Sequence, residues 1–148
     1  GVEAAWDEIS GSILAKHSSA TIDGMLLQPM ATGREVIIGM KRDRTFGPVI
    51  VFGLGGIFVE ILKDVSMRIA PLSQAEALRQ IESIRSVKLL SGARGEAPVS
   101  KEALADILVA LARLSVEHPE IAEIDLNPVM AGSDGAAIVD ARFMIRLS

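Results

Sequence analysis

The stretch IAEIDLNPVMAGSDGAAIVDARFMI, residues 121–145, decides how this chain is read. Two runs rich in alternating apolar residues flank Gly132-Ser133-Asp134-Gly135, a cluster of turn formers. That pattern predicts a β-hairpin, with Ile121–Met130 as its first strand and Ala136–Ile145 as its second. Side chains alternate along a strand, so Glu123, Asp125 and Asn127 share one face while Ile124 and Leu126 share the other. With the turn centred between Ser133 and Asp134, Asn127 lies opposite Asp140, and Asp125 opposite Arg142. Such cross-strand neighbours have Cβ atoms roughly 5 Å apart. Asn127 then offers a carbonyl oxygen and Asp140 a carboxylate, hard ligands of the kind that Mg2+ accepts beside water and phosphates. Arg142 is either an ion-pair partner for Asp125 or a charge facing a phosphate. The plainer alternative is an exposed hairpin face with one salt bridge. Pro128 adds a second question, because proline inside a strand marks an edge or a bulge, and a bulge would shift this register.

Working outward from the hairpin, Ser100 is placed to cap a helix that carries Leu104, Ile107, Leu108, Leu111 and Leu114 on one face. That helix must stop before Pro119. Leu89–Pro98, with Gly92, Arg94, Gly95 and Pro98, reads as a loop. Before it, Ser73 and Glu76 have the spacing of a capping box, opening a helix with Leu78 and Ile81 on its buried stripe. The region upstream reads as strands: Met25–Met30, Glu35–Arg42 and Pro48–Phe52, separated by Ala31–Arg34 and Asp43–Gly47. Ile57–Leu62 and Met67–Ile69 look strand-like around the polar Lys63-Asp64. Ser18–Gly24 is a polar loop, and Val2, Trp6, Ile9 and Ile13 recur at helical spacing from Val2 to Leu14. Helices and strands are segregated along the chain, which predicts an α+β fold with a largely antiparallel sheet and packed helices.

Composition bounds the function. At 148 residues the chain suits one domain or a piece of one. Its 49% hydrophobic content and mean hydropathy of +0.38 imply either a large interior or an apolar face meant for a partner. A net charge of −4 argues against general binding of nucleic acid, which needs basic residues to neutralise phosphates. Cysteine is absent, so thiolate chemistry and disulfides are excluded. No apolar run reaches the roughly 18 residues of a membrane span, and no leader of the secretory type precedes the first helix. The expectation is a soluble, cytoplasmic protein with no nucleic-acid and no membrane partner.

Other positions are chemically suggestive. Phe52-Gly53-Leu54-Gly55-Gly56 is either a strand-end turn or a loop whose backbone approaches a phosphate. It matches neither the dinucleotide nor the P-loop pattern. Glu35 reads first as a solvated surface charge and Arg94 first as a structural loop residue, with a ligand contact as the alternative for each. Trp6 reads as a core or interface anchor, and His17 and His118 as surface residues.

Taken in order, several stretches resemble the ATP-grasp domain of NDP-forming acyl-CoA synthetases, a family that includes ADP-forming acetate–CoA ligases and is similar to the nucleotide-binding subunit of succinyl-CoA synthetase. They are Leu27-Gln28-Pro29-Met30, Gly33-Arg34-Glu35-Val36, Phe46-Gly47-Pro48 and Phe52-Gly53-Leu54-Gly55-Gly56 through Glu60. They continue with Leu90-Ser91-Gly92-Ala93-Arg94-Gly95, Asp125-Leu126-Asn127-Pro128 and Val139-Asp140-Ala141-Arg142. The resemblance implies the C-terminal lobe of an ATP-grasp domain across residues 1–148, with 1–17 as a leading helix. It implies that Gln28, Pro29 and Met30 form the hinge at the adenine, that Glu35 holds the ribose, and that Gly55 and Gly56 lie near the phosphoryl-transfer centre. It assigns Mg2+ to Asn127 and Asp140. The implied cofactors are ATP or ADP and Mg2+, with CoA bound elsewhere in the parent enzyme. The implied partners are an N-terminal ATP-grasp lobe and a CoA-binding domain or subunit with its phosphohistidine. No catalytic residue is assigned to this segment, which by itself is expected to be inactive and prone to self-association. A second function, from another class, is a ligand-sensing regulatory module fused to a protein-lysine acetyltransferase.

Overall fold

The computed structural model describes residues 1–56, 64–92 and 97–146. The strand expected at Ile57–Leu62, with Glu60 and Lys63, and the loop residues Ala93, Arg94 and Gly95 lie outside the described residues. The chain forms two compact units, residues 1–30 and 31–148.

In the first unit, helix α1 spans Val2–Lys16. None of its residues is buried, and Trp6 is 44% exposed, so the apolar spacing that predicts the helix does not give it a core of its own. Residues 21–30 are irregular, which corrects the strand expected at Met25–Met30. A strand needs a partner for its backbone donors and acceptors, and an apolar run alone does not supply one. Leu26, Leu27 and Met30 are all strongly exposed.

The second unit is a sheet with one helical layer. Strands β1 (Arg34–Asp43) and β2 (Gly47–Leu54) form a hairpin with eight consecutive pairs, from Val36 opposite Leu54 to Asp43 opposite Gly47. The turn is held by Asp43, whose carboxylate accepts the backbone N–H groups of Thr45 and Phe46 at 2.7 and 2.9 Å. Strand β3 (Val65–Ile69) pairs with β2. On the other side of β1 lies β4 (Ile121–Ala131), and β4 is met along its length by β5 (Ala136–Ile138) and β6 (Ala141–Ile145). The order is β3-β2-β1-β4 and then β5 with β6, and every pairing is antiparallel.

Helix α2 (Gln74–Glu82) opens on the expected capping box: Ser73 N–H donates to Glu76 at 2.8 Å and Glu76 N–H to Ser73 Oγ at 3.3 Å. A 3-10 segment, Arg85–Ser91, follows and takes up the first residues expected in the loop. Helix α3 (Lys101–Glu117) begins at Ser100, whose hydroxyl accepts Ala103 N–H at 3.1 Å, and ends two residues before Pro119. Both helices pack on one face of the sheet, α2 on β2 and β3, α3 on β1, β2 and β4. Alternation puts Val36, Ile38 and Met40 of β1 and Ile50, Phe52 and Leu54 of β2 into this layer, each no more than 1% exposed.

Several polar groups in this layer are paired, although the Gln80 side-chain oxygen has no partner among the described residues. Buried Gln80 donates its amide to the carbonyls of Ile50 and Ser66 at 2.9 and 3.2 Å. Asp64, also buried, accepts the N–H groups of Arg85 and Ser86 at 2.9 and 2.7 Å. Burial pushes its pKa up, but the hydrogen bonds from Ser86 and Arg85 outweigh that and leave it below the usual carboxylate value. Arg42 reaches past the end of β4 to donate to the carbonyls of Ile121, Ser115 and His118, at 2.9, 2.7 and 3.0 Å. It thereby satisfies orphan carbonyls at the C-terminus of α3 and ties that helix to the sheet.

Candidate functional site

The face of the sheet turned away from α2 and α3 carries the chemically interesting residues. Its members follow from alternation against the buried set: Glu35, Ile37, Gly39 and Lys41 on β1, Val49 and Val51 on β2, Glu123 and Asp125 on β4, Arg142 and Met144 on β6. A shallow depression of about 280 Å³ opens on this face, with Ile37, Gly39, Lys41, Val51, Glu123 and Asp125 around it.

Asn127 and Asp140 are brought together. Pairing runs through Val129 with Ile138 and Leu126 with Ala141, so Asn127 stands opposite Asp140, and Asn127 N–H donates to the Asp140 carbonyl at 3.2 Å. The expected register therefore holds. The irregularity signalled by Pro128 is real but falls on the other side of β4. Between Val36–Val129 and Ile38–Leu126, both Asn127 and Pro128 face the single residue Ile37, which is a bulge against β1. Across the hairpin the partner strand is interrupted at the same level, at Val139 and Asp140, and Val139 N–H donates to the Pro128 carbonyl at 3.0 Å. The second strand expected as one piece is therefore two. Both strands carry an extra residue at one level, so the fault bends the hairpin without slipping it.

This donor pair fits a magnesium ion. Asp140 uses Oδ1 to accept Ala141 N–H at 2.9 Å, an exposed local contact. Its neighbour across the strand contributes a neutral amide. No group of three or more His, Cys, Asp or Glu side chains placed for a metal occurs among the described residues. A carbonyl oxygen and a carboxylate are hard donors of the kind that Mg2+ takes beside water and phosphate oxygens.

Glu35 and the glycine-rich stretch form a second cluster. Glu35 pairs with Met130 on one side, and on the other Gly55 N–H donates to the Glu35 carbonyl at 2.8 Å. A Cβ on Gly55 would lie 2.8 Å from Glu35 Cβ, closer than real atoms approach, and one on Gly56 would lie 3.4 Å from the Glu35 carboxylate. Gly55 is therefore required by its contact with Glu35, and its N–H is already committed to the backbone, so it is not a phosphate donor.

Gln28, Pro29 and Met30 are exposed and belong to the first compact unit. His118 pairs with Glu120 at 3.0 Å, a partner that the sequence did not suggest, and His17 is exposed. Arg142 stands opposite Asp125 as expected, but its ion pair is with Glu123, at 3.7 Å. The clamp made by Arg42 and the buried Gln80 were not anticipated, because neither leaves a spacing signal.

Comparison with known proteins now bears on this face. The family model for the ATP-grasp domain matches residues 1–145. The chain belongs to the ATP-grasp domain family. The domain is 54% identical over 121 residues to the beta subunit of acetate–CoA ligase (ADP-forming) I of Pyrococcus furiosus, covering 82% of this chain and 52% of that protein. It is 45% identical over 145 residues to the acetate–CoA ligase (ADP-forming) I of Archaeoglobus fulgidus, covering 97% of this chain and 21% of that protein. A solved acetyl-CoA synthetase 1 from Ca. Korarchaeum cryptofilum, in complex with coenzyme A and Mg-AMPPCP, superposes with a TM-score of 0.75 at 50% identity, covering 82% of this chain and 55% of that one. The domain thus spans about half of one curated relative and a fifth of another. Its α+β fold, with an antiparallel sheet and packed helices, is that of the ATP-grasp domain. No helix among the described residues is long and apolar enough to cross a membrane.

Proposed function

We propose that this domain is the nucleotide-binding C-terminal lobe of an ADP-forming acyl-CoA synthetase, and that it holds Mg–ATP or Mg–ADP on the open sheet face. The observation that carries the reading is the hairpin register that sets Asn127 beside Asp140. In this reading Asn127 and Asp140 ligate Mg2+. The ion supplies charge neutralisation for a phosphoryl group passing between the nucleotide and a phosphohistidine. Glu35, locked against Gly55, holds the ribose, and Gln28, Pro29 and Met30 meet the adenine. The beta-subunit relative supports a partner that completes the site: an N-terminal ATP-grasp lobe and a CoA-binding domain or subunit, outside these 148 residues. The acid substrate is carried by those other parts.

The domain by itself is expected not to form acyl-CoA. In the intact protein, Asp140→Asn is expected to abolish Mg2+-dependent phosphorylation of the histidine from ATP, with secondary structure unchanged. A variant with wild-type phosphorylation at limiting Mg2+ would refute the assignment. Self-association of the isolated chain is expected on the apolar groove of about 350 Å³ between α3 and the β4–β6 hairpin, lined by Leu111, Leu114, Ile138 and Phe143 among others. Sedimentation velocity over a range of concentrations checks this, and a monomer throughout counts against it.

A further inference from the structure

The open face is more acidic than a polyphosphate site can tolerate unaided. Alternation places Glu35, Glu123 and Asp125 on it, Asp140 stands exposed opposite Asn127, and among the described strand residues Lys41 and Arg142 are the basic side chains on this face. A nucleotide brings several more negative charges. One divalent ion on Asn127 and Asp140 offsets only part of that sum, which favours a protein cation beside the phosphates.

The two cations are not equivalent. Arg142 lies two residues from Asp140 along the chain, roughly 7 Å at the rise of an extended backbone. Lys41 is level with Glu123, four residues down β4 from Asn127 and so roughly 13 Å away. Arg142 is also held loosely. Its side chain is 68% exposed, and its ion pair with Glu123 is long, at 3.7 Å. An exposed pair of that kind contributes little to stability, so the fold does not explain an arginine there. A guanidinium presents a planar fork of donors that matches two phosphate oxygens at once, which an ammonium cannot do.

We propose that Arg142 binds the terminal phosphate oxygens of the nucleotide beside the Asn127–Asp140 pair, exchanging its hold on Glu123 for the phosphate when nucleotide arrives. This rests on the functional reading above and adds a residue to it. The guanidinium forms no covalent bond and transfers no proton. It supplies hydrogen bonds that strengthen as charge develops on the transferring group.

The test uses the intact protein that carries this domain, with ATP and Mg2+, and reads kcat and KM for histidine phosphorylation. Arg142→Ala and the neutral, long Arg142→Gln are each expected to lower kcat/KM for ATP about 100-fold, the loss typical of one preorganised donor. Their melting temperatures should match wild type, and Arg142→Lys should recover only part of the loss. Lys41→Ala should stay within about threefold of wild type, an order-of-magnitude bound for a remote exposed charge. If Arg142→Ala and Arg142→Gln keep wild-type kinetics while Asp140→Asn is disabled, the proposal is overturned and the functional reading stands. If Asp140→Asn also keeps wild-type kinetics, the reading itself has failed and the proposal with it. An equal loss in Lys41→Ala would assign the effect to the general charge of the face, and would likewise overturn the role given to Arg142.

Discussion

The sheet contains two hairpins built on one plan, β1–β2 and β4 with β5 and β6, and they differ in regularity. The first runs through eight consecutive pairs, closes on a turn tied by Asp43, and presents alternate residues to the core. The second keeps one register from Ala131 to Glu123, shifts between Glu123 and Ile121, and breaks its second strand at Val139–Asp140, opposite Asn127–Pro128. All of β6 is exposed. In the first hairpin, ladder and core fix each residue. In the second, the break leaves Asn127 and Asp140 exposed opposite one another. Regularity stabilises the sheet, and the local fault makes room for a ligand.

The sharpest way to break this comparison is to truncate an aromatic in each hairpin. Phe52, in β2, is fully buried, whereas Phe143, in β6, is 45% exposed. Phe52→Ala is expected to destabilise the domain by about 3–5 kcal/mol, the usual loss for a buried phenylalanine. Phe143→Ala should cost about 1 kcal/mol or less, since much of its surface is already in water. Urea denaturation of the two variants measures both. Similar losses would mean that the second hairpin is as firmly packed as the first.

How much of this was legible follows the same divide. The hairpin of residues 121–145, its register, the capping box at Ser73 and the apolar stripe of α3 were all readable, because each rests on local spacing. The apolar run at Met25–Met30 misled, because apolar content alone does not say whether a partner strand exists. Arg42 was invisible because its acceptors lie 73 to 79 residues away and are backbone atoms without sequence identity. Gly55 was readable as a glycine with a purpose, but its close packing against Glu35 was not. Its neighbour across the strand, Glu35, is fixed only by the β1–β2 register.

A smaller effect probes how the regular hairpin is anchored. Arg42→Ala removes three hydrogen bonds from a charged donor to the end of α3 and the start of β4, and is expected to cost about 1.5–3 kcal/mol. Arg42→Lys should recover little, because one ammonium cannot span all three carbonyls. A loss below about 0.5 kcal/mol, the range of ordinary surface changes, would show the clamp to be incidental. Smaller again is the anchor of β3. The pKa of Asp64 is depressed in the folded state, so its stabilisation is fully present above the unfolded-state value and is lost as pH falls through the folded one. Asp64→Asn should therefore cost about 1–2 kcal/mol at neutral pH, and the difference from wild type should shrink below about pH 4. Urea titrations across pH 2.5–7, a window of about that breadth around the carboxylate range, would show a constant difference if the carboxylate charge were irrelevant.

The smallest expected change in stability is the one that matters most for function. Asp140 is exposed, makes its one side-chain hydrogen bond to the adjacent Ala141 N–H, and sits in the break of the second strand, where no packing depends on it. Asp140→Ala in the isolated chain is therefore expected to shift unfolding by no more than about 0.5 kcal/mol. Removing a carboxylate from a face that already carries Glu35, Glu123 and Asp125 relieves like-charge repulsion, so the shift can even be stabilising. The same substitution in the intact protein should disable Mg2+-dependent phosphoryl transfer. That pairing of results, no loss of fold with loss of chemistry, is what separates a ligand from a structural residue. A destabilisation of about 2 kcal/mol or more would place Asp140 among groups with a buried or networked role, and the faulted hairpin would then be no more than a variant of the regular one.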